Sequence, residues 1–393
     1  MSRTAMLAAA LSAIMLCGLA AIVPSAAATA QRDVAGCGLF SDSECTIALS
    51  TGVTMAYREG GLRGGPVVFL LHGFPDSGQS WDRVLPLLVR ILPGYDIIVP
   101  DLRGHGRSSL PGDAQCPSDP ADCFRPIDFA RDIVAFMNAR GIRRASIVGH
   151  SMGTLVAQEL GLSYPDRVRR LVLISTAADG HEPAVAALRD EVVNGWWQGA
   201  FTAAGYSWPD DVYRLNPSVA VDGYADFVAG LLYSPVAPPV FLAQMDASDA
   251  ATPLGTWIGT VESLGAADNT ARLAEVRAPT LVLYAVQDAI FSPADEQRLI
   301  DAMTVSCAPF WWKQYGVAPR PASGEQTDLG HDLPWEAPQG VAADIAAFLV
   351  HGQPTHTLYR TDPADVSQVI AEPGQAFVLH PATVPCTTPH RAN

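Results

Sequence analysis

Ala145-Ser146-Ile147-Val148-Gly149-His150-Ser151-Met152-Gly153 is the stretch on which the fold turns. The strand-like run Ala145 to Val148 leads without a break into Gly149-His150-Ser151-Met152-Gly153, and Thr154 to Leu160 then continues at helical spacing. A strand that passes through G-x-S-x-G straight into a helix makes a very sharp turn, which holds the serine in strained dihedrals and leaves no room for side chains at 149 and 153. Ser151 therefore projects into open space. The helix that starts behind it points its first amides, and the positive end of its dipole, at whatever reacts there.

Working outward, Val67 to Leu71, Asp96 to Pro100, Leu171 to Ile174 and Thr280 to Tyr284 are further short runs of buried-strand character. Between them Ser80 to Arg90, Asp128 to Arg140 and Met152 to Tyr164 have helical spacing, the last halted by Pro165. This alternation predicts an α/β fold with a doubly wound, mostly parallel sheet, opened by an antiparallel hairpin within Thr46 to Tyr57. From about Asp179 to Val276 the rhythm lapses, and Ala278-Pro279-Thr280 restarts it. The lapse reads as an inserted helical cap, residues 179–276, dividing a core of 31–178 and 277–350. Trp196, Trp197, Phe201, Trp208, Tyr213, Tyr224, Phe227, Tyr233, Phe241 and Trp257 are too bulky a set for a solvent loop: most belong inside the cap, and a minority should wall an apolar pocket. Beyond the helix Gly340 to Val350, residues 351–393 read as a C-terminal extension, not a domain.

A serine hydroxyl is a weak nucleophile at neutral pH, so the site needs an imidazole base and a carboxylate to orient it. His331, in Leu329-Gly330-His331 ahead of the final helix, is the candidate base: His181 comes too early, and His351, His356, His380 and His390 lie past the last core element. Asp288, after the strand Thr280 to Tyr284, is the candidate acid, with Asp179 after the preceding strand as the alternative. The backbone amides of Met152 and Phe74, the latter in His72-Gly73-Phe74-Pro75, are the candidate oxyanion donors. His72 reads as structural and His150 as a wall residue, neither of them catalytic, and Asp101-Leu102-Arg103-Gly104-His105-Gly106-Arg107-Ser108 as a hydrogen-bonded turn in which Asp101 and Arg103 are ion-pair members.

His72 to Pro75, Asp101 to Ser108, Gly149 to Gly153, Asp288 and Gly330-His331 together resemble the α/β-hydrolase superfamily, in the branch of esterases, cofactor-free perhydrolases and epoxide hydrolases. The resemblance spans about residues 50 to 350. It implies Ser151 as nucleophile, Asp288 as acid, His331 as base, and Phe74 and Met152 as oxyanion donors. Epoxide hydrolases and haloalkane dehalogenases use an aspartate nucleophile, and Ser151 argues against both. The chain departs from the family in the 43-residue step from Asp288 to His331, where the segment Cys307 to Gln326 contains an apparent insertion, and in its cysteine-bearing tail.

Arg3, the apolar run Met6 to Val23 and the small-residue stretch ending Ala28-Thr29-Ala30 have the layout of a secretory signal peptide, residues 1–30. The expectation is a secreted protein, extracellular or periplasmic, with no stable membrane anchor after cleavage. Cys17 leaves with the leader, and six cysteines remain for an oxidising compartment. Proximity pairs Cys37 with Cys45 and Cys116 with Cys123, which leaves Cys307 with Cys386. No cysteine and histidine stand at zinc-binding spacing, so neither metal nor cofactor is expected. The 40 acidic and 25 basic residues, a net charge of −15, argue against nucleic-acid partners.

The expected function is cleavage of a carboxylic ester or similar acyl compound, small, uncharged and apolar, through an acyl-serine intermediate. The same triad would serve peracid formation, cleavage of a carbon-carbon bond in a diketone, or an aminopeptidase. The last would need acidic cap residues to hold the substrate amine, for which Glu182, Asp210, Asp211, Asp222, Asp226, Asp246 and Asp249 are available. A non-enzymatic binding protein on the same fold is the reading from another class.

Overall fold

The computed structural model describes residues 45–382 and 385–386, apart from 113–115, 117–119, 209–212, 232–233 and 375. The leader, and with Cys37 the pairing Cys37–Cys45, lie outside the described residues.

The chain opens with β1 (Cys45–Ala48) and β2 (Thr54–Gly61), an antiparallel hairpin with Ala48 opposite Thr54. Six strands follow: β3 (Val67–Leu71), β4 (Asp96–Pro100), β5 (Ala145–His150), β6 (Val168–Ile174), β7 (Thr280–Ala285) and β8 (Phe310–Tyr315), each parallel to its neighbours among them. Every residue of β3, β4, β5 and β7 is buried, as expected of strands covered on both faces. On one face, α2 (Pro126–Ala139) and α3 (Met152–Ser163) bring Phe129, Phe136, Leu155 and Leu160 into one apolar cluster. A separate cluster gathers Leu85 and Leu88 of α1 (Leu85–Ile91) with Val341, Ile345 and Phe348 of the final helix.

Between β6 and β7 the chain forms α4 (Pro183–Arg189), α5 (Trp196–Ala203), α6 (Tyr224–Leu231), α7 (Pro239–Asp249) and α8 (Leu254–Gly265). Pro183 and Pro239 open their helices, where a missing N–H costs nothing. These helices have an apolar core of their own, in which Trp197 lies 4.5 Å from Tyr224 and 5.3 Å from Trp257 between ring centroids. At the neck the outgoing and returning chains bond to each other: Asn269 N–H to Ala178 C=O at 2.9 Å, and Gly180 N–H to Ala267 C=O at 2.8 Å.

After β7 come α9 (Pro293–Thr304), β8, α10 (Leu333–Glu336) and α11 (Pro338–His351). Two stretches hold more structure than the sequence alone indicates. The segment 307–326 is no mere insertion, because it contains β8, whose Lys313 is buried and paired with Asp344 of α11 at 2.7 Å. The tail is no mere extension either. It forms a hairpin of β9 (Thr357–Asp362) and β10 (Asp365–Pro373), then β11 (Phe377–His380), which pairs antiparallel with β8. The main sheet thus has nine strands in the order β1-β2-β4-β3-β5-β6-β7-β8-β11. Disulfides join Cys116 to Cys123 and Cys307 to Cys386, and the second ties the tail to the residues just before β8.

Candidate active site

The parallel strands end on one edge of the sheet, and the chemistry-bearing residues follow those ends. Ser151, between β5 and α3, has φ 51° and ψ −122°, a left-handed conformation for a residue with a side chain. The glycines around it are sterically required: a Cβ on Gly149 would lie 2.3 Å from the Gly153 oxygen, and one on Gly153 would lie 2.5 Å from the Leu71 oxygen. The Ser151 amide is spent on Ile174 C=O at 3.0 Å, which braces the turn against β6.

Ser151 Oγ lies 2.9 Å from His331 Nε2, and His331 Nδ1 lies 2.9 Å from both oxygens of Asp288. Asp288 follows β7 and is buried, and its Oδ1 also accepts the amides of Ile290 and Phe291. The structure therefore brings together the three residues singled out from the sequence. The alternative acid, Asp179, sits 3.3 Å from His181 and 3.7 Å from Arg298 instead. Burial on its own would lower the His331 pKa. The Asp288 charge and hydrogen bond, helped by Asp332 and Asp76, outweigh that and hold it up to about 9.

Phe74 and Met152 both line the cavity in front of Ser151. Among the described residues neither backbone amide has a protein acceptor, so both are free to donate. His72 donates from Nδ1 to Gly73 C=O at 2.7 Å and accepts the Leu102 amide at Nε2, a wholly structural use of the ring. His150 lines the cavity and donates from Nε2 to the His331 carbonyl at 3.1 Å. Asp101 and Arg103 are not joined to each other: Asp101 accepts the amides of Gly78 and Arg107, while Arg103 is bidentate to Asp132. The expected ion pair is thus seen for Arg103, with Asp132 as its partner, while Asp101 serves mainly as an acceptor of backbone amides with the charges of Arg58 and Arg107 nearby.

The cavity measures about 360 Å³, and its apolar wall includes Leu155, Val185, Leu188, Val261, Leu264 and Phe291. Glu182, Asp222, Asp226, Asp246 and Asp249 do not line it, and Asp210 and Asp211 lie outside the described residues. Several contributors escaped the sequence reading. Asp76 and Asp332 line the cavity, as do Arg320 and Gln326 from the segment ahead of His331. Burial pushes the Asp76 carboxyl up to about 7 against the pull of His331 and the Gly73 amide, and pushes Asp332 well above the usual range. Glu336 accepts the Gly330 amide at 2.6 Å, Ser234 Oγ at 2.7 Å and Gln326 Nε2 at 2.7 Å, which pins the loop that carries His331. A glutamate at a helix end gives no local signal of such a role. His150, His331 and Asp332 lie close enough to suggest a metal set, but both His331 nitrogens are already committed to Ser151 and Asp288.

The family model described as the alpha/beta hydrolase fold matches residues 66–309. The chain belongs to that family and has that fold. It is 33% identical to epoxide hydrolase 3 of Siraitia grosvenorii over 42% of this chain and 45% of the relative. It is 37% identical to a haloalkane dehalogenase of Bradyrhizobium diazoefficiens over 35% of this chain and 43% of the relative. The chain thus spans less than half the length of these relatives. A thermophilic esterase from Thermogutta terrifontis superposes with TM-score 0.56 at 22% identity, over 79% of this chain and 99% of that structure's chain, which concerns the fold alone.

Proposed function

We propose that the protein hydrolyses a carboxylic ester or similar acyl compound through an acyl-Ser151 intermediate. The observation that carries this reading is the unbroken hydrogen-bonded line from Ser151 Oγ through His331 to Asp288. In this mechanism His331 Nε2 takes the hydroxyl proton as Oγ attacks the substrate carbonyl, and the Phe74 and Met152 amides receive the developing oxyanion. Asp288 stabilises the imidazolium, which returns the proton to the leaving alcohol. Water then repeats the sequence to release the acid.

The relatives named as an epoxide hydrolase and a dehalogenase invite a competing reading, which the nucleophile disfavours. Serine attacking an epoxide or an alkyl halide would leave an ether on the enzyme, and a base and an oxyanion hole offer no way to hydrolyse an ether. Attack on a carbonyl leaves an ester, which the same triad can clear. The apolar wall suits a small, uncharged acyl chain. We further propose a secreted location, which the leader-like residues 1–30 and the two disulfides support. Hydrolysis of p-nitrophenyl esters of graded chain length tests the activity: turnover of short acyl esters that vanishes in Ser151→Ala is expected. Turnover of epoxides or haloalkanes but of no ester would contradict the reading.

A further inference from the structure

The edge of the sheet where the parallel strands begin lies opposite the triad, separated from it by the length of β5, roughly 20 Å for six residues. A second cavity of about 350 Å³ opens there, lined by Arg63, Asp96, Arg140, Arg143, Arg144 and Arg169. Arg63 precedes β3, Asp96 starts β4, Arg140, Arg143 and Arg144 lie between α2 and β5, and Arg169 stands second in β6. Three separate stretches of chain thus deliver five guanidinium groups to one hollow, and a fourth brings Asp96.

This concentration is out of keeping with the rest of the chain, which carries 40 acidic residues against 25 basic ones. A surface that only needs solvation intersperses the two signs. Here Arg140 is paired with Glu59 at 2.8 Å, and Arg63 lies 3.8 Å from the same carboxylate. Arg144 donates to the Val168 carbonyl at 2.8 Å, which leaves its charge uncompensated. Among the described residues Arg143 and Arg169 have no acidic partner, and both are exposed. Set against Asp96 and Glu59, the five arginines leave three positive charges in excess. All of the cavity's cations are arginine, whose planar fork matches the oxygens of a phosphoryl group better than an ammonium does.

We propose that this arginine-lined cavity binds a phosphate-bearing anion, at a site separate from the triad. A single carboxylate would offset only one of the excess charges, whereas a phosphate monoester or a pyrophosphate group offsets two or more and can engage several forks at once. The overall negative charge does not forbid such binding. Beyond about 8 Å at physiological ionic strength it is largely screened, and the local field of the cavity decides. The volume is at the lower end of small-ligand sites, enough for a headgroup or a small phosphorylated molecule.

Calorimetric titration of the full chain with inorganic pyrophosphate tests the site, alongside co-sedimentation with phosphatidylglycerol-containing vesicles and with pure phosphatidylcholine vesicles. Saturable pyrophosphate binding that weakens at high salt is expected, with at least a tenfold loss of affinity in R143A/R169A. Ester hydrolysis should be unchanged in that variant, which also reports that it is folded. The control R189A/R360A, of equal charge change, should bind as the parent does. Sedimentation with the anionic vesicles alone, lost in the arginine variant, would identify a lipid headgroup as the source of the phosphate. Pyrophosphate binding without it would identify a soluble one. Failure of the parent to bind either probe, or equal binding by R143A/R169A, would overturn the proposal whatever the outcome at Ser151.

Discussion

At the scale of single residues, the triad is a chain of dependencies that substitution can take apart. Ser151→Ala and His331→Ala should each lower kcat by about 10⁴ or more, because either one removes generation of the nucleophile, and thermal unfolding of each variant should stay close to the parent's. The base must be neutral to accept a proton, so kcat/KM should rise with pH through the titration of His331. Asp288 and its acidic neighbours hold that pKa up to about 9, so the rising limb belongs above the usual histidine range and activity should favour alkaline pH. Removing the Asp288 charge lowers the imidazole pKa. Asp288→Asn should therefore lose activity and also shift the limb to lower pH. A limb that stays in place in the Asn variant would show that Asp288 does not govern His331.

At the scale of elements, positioning comes from contacts that are remote in sequence. Glu336 at the end of α10 holds the Gly330 amide, and His331 is the next residue. Glu336→Ala should lower kcat by roughly 10- to 100-fold with little change in KM, because the ring loses its seat while the cavity wall stays intact. A change confined to KM would assign Glu336 to substrate binding instead. The Cys307–Cys386 bond closes a loop with sequence separation 79, for which the chain-entropy picture gives about 4 to 5 kcal/mol as an upper figure. Its reduction should free β11 from β8 and lower Tm, which differential scanning calorimetry with and without reductant would measure. The buried parallel strands were legible in the sequence because they are continuous apolar runs. So was the elbow, because its Gly-x-Ser-x-Gly pattern is local, even though the backbone that forces Gly153 belongs to Leu71 on a neighbouring strand. The strand β8 was not, since Phe310-Trp311-Trp312-Lys313-Gln314-Tyr315 carries a lysine at its centre whose partner, Asp344, is 31 residues away. Nor was β11, four residues whose pairing partner lies across the tail hairpin. Likewise Arg320 and Glu336 reach the site only through tertiary packing, and although Asp332 adjoins His331 and Asp76 follows Phe74 by two residues, their burial beside the imidazole is set by the fold.

At the scale of the whole molecule, the buried ionisable groups make stability depend on pH. The Asp76 carboxyl is held up to about 7 and that of Glu296 up to about 8, each chiefly by burial, while His331 is held up to about 9. Each binds its proton more tightly in the folded chain than in the unfolded one. Their contribution is therefore fullest below the unfolded pKa and is lost as pH rises through the folded value. The histidines that burial lowers, His72, His105, His150 and His380, act in the opposite sense only below about 6.5, where the unfolded chain takes up protons. Above that they are neutral in both states. Tm should accordingly fall between about pH 6.5 and pH 8.5; a Tm that rises over that interval would contradict the burial of these acids.

The central claim, that Ser151 is an activated nucleophile, is tested most directly by reaction with a fluorophosphonate followed by peptide mapping. The account predicts stoichiometric labelling at Ser151, slowed steeply by His331→Ala and abolished by Ser151→Ala. Labelling at another residue, or no labelling of the folded protein at alkaline pH where His331 is neutral, would contradict it.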